Sequence, residues 1–175
     1  MAKESSSAAR GTTGKGRNTS FSLYREGQST PAITLTVGLV LAGRRWRALL
    51  DEALRNANQS SARMETLAAI INSPALSPQV DIARRLRIEG PTLTRMLDGL
   101  EKDGLVERLA DPSDRRTKQL RVTAEGEAVL EEMFAIADDL RSRLLEDLSD
   151  KQIEQANGIL ALLINRLDEG LQPGG

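Results

Sequence analysis

Ser77-Pro78-Gln79-Val80-Asp81-Ile82-Ala83-Arg84-Arg85-Leu86-Arg87-Ile88-Glu89-Gly90-Pro91-Thr92-Leu93-Thr94-Arg95-Met96-Leu97 leads through Leu100 and Gly104 to Leu105-Val106, and then to Asp111-Pro112-Ser113-Asp114-Arg115-Arg116-Thr117-Lys118-Gln119-Leu120-Arg121-Val122. Ser77 is placed to cap a helix whose first residue is Pro78, where a missing N–H costs nothing. Val80, Ala83 and Leu86 recur at helical spacing and Ile82 widens the stripe. The small Ala83 suits two helices that cross closely. Arg87 to Gly90 gives a turn of three to four residues, the length a helix-turn-helix needs, with Ile88 as its buried plug. Gly90 and Pro91 then act as cap and first position of a second helix. Leu93, Met96, Leu97 and Leu100 form its inward face, and Gly104 is a left-handed stop. Leu105–Leu109 and Lys118–Val122 read as short strands, joined by the turn chemistry of Asp111-Pro112-Ser113-Asp114. Helix, tight turn, helix and hairpin make a winged helix-turn-helix.

On the second helix, Thr92, Thr94 and Arg95 stand in the first turn, away from the Leu93/Leu97 stripe. A recognition helix presents its N-terminal residues to base edges in the major groove. Hydroxyls reach bases or phosphates there, and a guanidinium can pair bidentately with guanine. A solvated helix face is the plain alternative for these three residues alone. The hairpin shifts the balance: Arg115 and Arg116 at its tip suit a narrow minor groove, whose negative potential attracts arginine.

These same residues carry a family resemblance. The Asp111-Pro112-x-Asp114-Arg115-Arg116-x-Lys118 wing resembles that of MarR-type transcriptional regulators, SlyA-like members in particular. Leu120-x-Val122-Thr123-x-x-Gly126, Leu100-Glu101-Lys102-Asp103-Gly104-Leu105-Val106 and Arg45-Trp46-Arg47 add to it, and the likeness spans residues 33–168. It implies a mainly α fold with a small β wing, in which terminal helices of two chains interleave. It also implies a small-molecule effector, often an aromatic acid, held between dimer stem and winged domain. Arg45, Trp46, Met64 and Leu67 match that region in position. Trp46 as plain core is the competing reading.

The rest of the chain frames this unit. Its 175 residues include no Cys and no His, and the only aromatics are Phe21, Tyr24, Trp46 and Phe134. Disulfides and thiol switches are excluded, and the commonest general base is missing. Neighbouring acids such as Asp138-Asp139 and Glu131-Glu132 point in different helical directions. No catalytic set, metal site or cofactor is expected. No apolar run reaches the length of a membrane span, and with no secretory signal the expected location is cytoplasmic.

A net charge of −1 conceals an asymmetry. Residues 124–175 carry four basic and twelve acidic groups, whereas residues 75–123 carry ten and eight. A basic half facing a polyanion fits this polarity. The slight overall negative balance argues against a non-specific DNA coat.

Residues 1–30 read as a largely disordered basic arm, either a solvating tail or a source of salt-sensitive phosphate contacts. Within it, Phe21, Leu23 and Tyr24 suit docking on the body or on a partner. Pro31 opens a long helix to about Asn58, and Ser60 or Ser61 starts another that ends at Asn72-Ser73-Pro74. Thr123 caps a further long helix, with Glu125 and Glu127 in its first turn, where the dipole favours acids. Val129, Met133, Ile136, Leu140 and Leu144 form its stripe. Ser149 to Gln152 is a capping box for a last helix with Ile153, Ala156, Leu160, Leu163, Ile164 and Leu167. The division expected is a helical dimerisation region at 31–60 and 124–170 and a DNA-binding domain at 61–123.

The function that follows is a homodimeric regulator on a pseudo-palindrome in double-stranded DNA, usually a repressor in such families, released by a small aromatic or anionic ligand. Thr92, Thr94 and Arg95 would read or flank bases, with Pro91 setting the helix angle. Arg115 would enter the minor groove, and Arg116 would take phosphate or pair with Asp114. Ser77, Gln79 and Lys118 are the expected backbone contacts. The alternative is a ligand-independent DNA-binding or interaction module, which dose-dependent release of DNA by a metabolite would separate.

Overall fold

Pro31, with its fixed φ, starts a helix, and seven α-helices and two strands follow one another in a computed structural model that describes residues 20–74, 77–110 and 118–170. They are α1 (Ser20–Arg25), α2 (Pro31–Leu54), α3 (Ser61–Ile71), α4 (Gln79–Leu86), α5 (Gly90–Lys102), β1 (Val106–Ala110), β2 (Lys118–Val122), α6 (Ala124–Leu144) and α7 (Asp150–Asp168). The short α1 lies where the sequence suggested a mostly disordered arm. The chain divides into two units, Met1–Trp46 and Arg47–Gly175, with the division falling inside α2. Among the described residues no helix is long and apolar enough to cross a membrane.

In the first unit, α2 leaves Leu35, Val37, Val40 and Leu41 about half exposed. In the second, α2 ends at Leu54, earlier than the Asn58 read from the sequence. A 3-10 turn over Arg55–Ala57 follows, and Asn58 takes a left-handed conformation with φ of 53°. Ser60 caps α3 through its hydroxyl, which accepts from Arg63 N at 3.3 Å. Asp51 adds to this cap: its Oδ1 accepts from Ser61 N at 2.6 Å. That bond, helped by the Ser61 hydroxyl and the charges of Arg47 and Arg55 and opposed by burial, holds the Asp51 carboxyl below its ordinary range.

The core of this unit is aliphatic. Leu54, Leu67, Ile82, Leu93, Leu97 and Leu100 have no exposed surface, and Val106 and Met133 almost none. In α4 the sequence stripe is phased differently from the fold. Ile82 and Ala83 are buried, while Val80 is 61% exposed. Ser77 does not cap α4: Pro78 holds the cap position and Gln79 begins the helix. Ser77 is used by the sheet instead, because its carbonyl accepts from Leu120 N at 3.3 Å, while its hydroxyl donates to Pro74 O at 2.7 Å. A bridge between Pro78 and Gln119 adds a third edge to the hairpin.

Arg87, with φ of 53°, Ile88 and Glu89 make the three-residue turn. Ile88 is half-buried rather than a sealed plug. Glu89 is the cap of α5, so Gly90 and Pro91 are its first and second residues, one position later in the helix than their types suggest. The left-handed stop at Gly104 is present, with φ of 74°. β1 and β2 pair antiparallel with Val106 opposite Val122 and Arg108 opposite Leu120.

A single residue separates β2 from α6. Thr123 accepts from Gly126 N at 3.0 Å, as a cap should, and donates to Gly104 O at 2.7 Å. Gly126 faces the chain after α5 so closely that an added Cβ would lie 2.1 Å from Leu105 O. The buried face of α6 is Gly126, Leu130, Met133, Ala137 and Leu140. Val129 and Ile136, expected in its centre, flank it half-buried, and Leu144 is 59% exposed. Gln152 accepts from Ser149 N at 2.9 Å at the start of α7, one arm of the capping box. No residue of α7 is buried.

Candidate nucleic-acid interface

Leu93, Leu97 and Leu100 turn inward, so helical geometry turns Thr92, Thr94 and Arg95 outward, and all three are exposed. Pro91, also exposed, lies one residue before them and fixes the backbone of the first turn. Arg95 has no ion-pair partner among the described residues, which leaves its guanidinium available to an incoming anion or base edge.

Thr94 is the point at which three elements meet. Gln79 Nε2, from the first turn of α4, donates to Thr94 Oγ1 at 2.7 Å. Thr94 Oγ1 donates in turn to Gly90 O at 3.0 Å. Arg108 Nη2, from β1, donates to Thr94 O at 3.3 Å and to Asp98 Oδ1 at 2.6 Å, and its Nη1 donates to Glu101 Oε2 at 2.6 Å. The Arg108 side chain is only 17% exposed. This residue ties the wing to the outer flank of α5, and the reading of site residues from sequence passed it over. A signal was present: Arg108 shares the strand face of buried Val106, and a cation on an inward register position needs partners.

The outward face of the wing is charge-balanced. Arg121 donates to Glu107 directly across the strands, which holds the Glu107 carboxyl below its ordinary range and raises the guanidinium. Lys118, at the start of β2, is exposed and unbalanced by any such pair among the described residues. Asp114, Arg115 and Arg116 lie outside the described residues. Ser77, expected to touch the DNA backbone, is buried with both its polar groups turned to the protein. Gln79 is half-buried and engaged with Thr94.

The residues matched to an effector region fall in different places. Arg45 is exposed and Trp46 half-buried on α2. Met64 and Leu67 belong to the aliphatic core, and Leu67 has no exposed surface. A separate cleft of about 210 Å³ opens on the other side of α3, between Arg47, Glu65, Thr66, Ile88, Thr92 and Met96. Arg47 Nη2 and Glu65 Oε1 pair at 2.6 Å on its rim. Among the described residues no group of three acidic, His or Cys side chains could hold a metal ion.

A helix pair with an exposed, polar first turn, a short wing fastened to that helix, and long flanking helices define a winged helix-turn-helix transcriptional regulator that binds DNA. The sequence profile of the MarR family matches residues 60–118. The transcriptional regulator PA3341 is 32% identical over 77% of this chain and 98% of that one, with a TM-score of 0.68. MarR from E. coli in its apo form is 26% identical over 78% of this chain and 98% of that one, with a TM-score of 0.67. A mutant of E. coli MarR complexed with operator DNA is 27% identical over 75% and 94%, with a TM-score of 0.68. The chain belongs to the MarR family, whose members are regulators and not enzymes.

Proposed function

We propose that the protein is a homodimeric, sequence-specific repressor that reads a pseudo-palindromic operator and is released by a small aromatic or anionic ligand. The first turn of α5 carries the reading: Thr92, Thr94 and Arg95 are exposed together while the opposite face of the same helix is sealed in the core. The E. coli MarR mutant complexed with operator DNA supports it. In this reading Arg95 meets base edges, Arg115 enters the minor groove, and Lys118, Arg116 and Gln79 serve backbone contacts. Residues 31–60 and 124–170 form the dimerisation region and residues 61–123 the DNA-binding domain. The uncovered apolar side chains of α7 support a second copy as partner. For the ligand, the cleft beside Arg47 supports an anion that takes the place of the Glu65 carboxylate on the guanidinium at its rim.

Selection from random duplexes tests the reading. The expected product is an inverted repeat with half-sites one helical turn apart, about 34–36 Å. Arg95→Ala should cost about 1–3 kcal/mol on that operator and relax one or two base positions. Failure to enrich any sequence, or enrichment of isolated half-sites bound by monomer, would overturn it. Release of the duplex in proportion to an added aromatic acid tests the ligand half separately.

A further inference from the structure

A threonine hydroxyl offers one proton and two lone pairs. In Thr94 the proton is given to Gly90 O at 3.0 Å and one lone pair receives Gln79 Nε2 at 2.7 Å. The hydroxyl therefore cannot donate to a base or phosphate without breaking a bond inside α5. Gln79 comes from the neighbouring helix and holds the hydroxyl from outside, and Arg108 holds the carbonyl of the same residue from the wing. Thr94 is nonetheless exposed. What the side chain keeps without an internal task is the γ-methyl group and a single acceptor lone pair, and the lone pair is crowded by the Gln79 amide beside it.

In the major groove, thymine is the base that presents a methyl group, at C5. We propose that Thr94 is a methyl reader: it specifies a thymine in each half-site by apolar contact, and Gln79 is the positioning residue that keeps its hydroxyl turned away. This rests on α5 being the recognition helix. It replaces the hydroxyl contact expected from residue type with an apolar one, and gives Gln79 a task beyond any phosphate it touches.

The test uses the full-length protein and its selected operator, with each thymine of one half-site replaced in turn by deoxyuridine, which lacks only the 5-methyl group. One such replacement should weaken binding by the parent protein about fourfold, the equivalent of about 0.8 kcal/mol for one buried methyl-sized group. Thr94→Val keeps the methyl and loses the hydroxyl, and should show the same uracil effect. Thr94→Ser keeps the hydroxyl and loses the methyl, and should bind both duplexes alike. Gln79→Leu cannot donate to the hydroxyl and should lose part of the discrimination while remaining a folded dimer. Uracil sensitivity retained at every position by Thr94→Ser, or lost in Thr94→Val, would overturn the assignment. So would sequence-specific binding by the parent with no uracil-sensitive thymine. If the parent enriches no sequence at all, the recognition-helix reading itself fails, a result distinct from the other three.

Discussion

α5 and α7 are both amphipathic helices, of 13 and 19 residues, yet their apolar faces meet opposite fates. Leu93, Leu97 and Leu100 of α5 are sealed completely within the winged helix-turn-helix head, the elements from α3 to β2, where α5 packs on α3, α4 and β1. On α7, Leu162 is 65% exposed and Leu167 62%, and Ile159 and Ile164 are about half exposed. Helical periodicity says that a face leaves water, not which surface receives it. Where the chain itself supplies the cover, as for α5, the repeat reports a core. Where it does not, the face is left for a partner, which in the proposed dimer is a second copy, because large exposed apolar patches are rare on a lone soluble domain.

The largest effect should come from α7. Leu160→Glu with Leu163→Glu should abolish the dimer and operator binding while leaving the head folded, as read by light scattering, duplex binding and circular dichroism. A well-folded monomer of the unaltered protein at micromolar concentration would contradict the interface. Leu97→Ala in α5 should act the other way, on the fold itself. A fully buried leucine truncated to alanine costs about 2–5 kcal/mol, which urea titration would read. If the two helices gave the same result, loss of dimer with an intact head, the contrast between core and interface would be wrong.

Gly126→Ala sharpens the comparison at the root of α6. Its new methyl would meet the Leu105 carbonyl and Val122, and overpacking of this kind costs about 1–3 kcal/mol. Gly158, on α7, has open space around it. Gly158→Ala should leave the head's unfolding midpoint unchanged, so a fall equal to that of Gly126→Ala would show that α7 packs on its own head.

The smallest effect is at the cap of α3. Asp51 has a depressed pKa when folded, so its contribution is complete above the unfolded value near 3.9. It fades as pH falls through the folded value. Asp51→Asn should cost about 1 kcal/mol near neutrality. Its unfolding midpoint should also fall less steeply than the parent's below about pH 4. Parallel curves for the two proteins down to pH 2 would remove Asp51 from the cap.

Much of the head was legible because local chemistry and tertiary demand agree there. The Leu93–Leu100 stripe, the stop at Gly104, the strand pairing and the Thr123 cap all belong to that class. Disagreement arose where a residue had a second partner. Ser77 is a good cap by type, but β2 recruits its carbonyl and Pro74 its hydroxyl. An eight-residue helix gives barely two turns of pattern, so the phase of α4 was open by one residue, and Val80 took the outside while Ile82 took the core. The Thr94 hydroxyl looked like a contact because nothing in the linear sequence places Gln79, fifteen residues earlier, beside it. For the same reason the effector residues were the least legible: Leu67 matched a family position but is fully enclosed.

The single-residue junction at Thr123 makes α6 a lever arm. β2 passes into the helix with no slack, and Gly126 lies against Leu105 with no room to slide. The 21 residues of α6 extend about 31 Å at 1.5 Å per residue. A tilt of about 5° at the wing therefore displaces the far end by about 3 Å, so a rearrangement of that size at the distal end of α6 corresponds to a small angular correction where the wing meets its target.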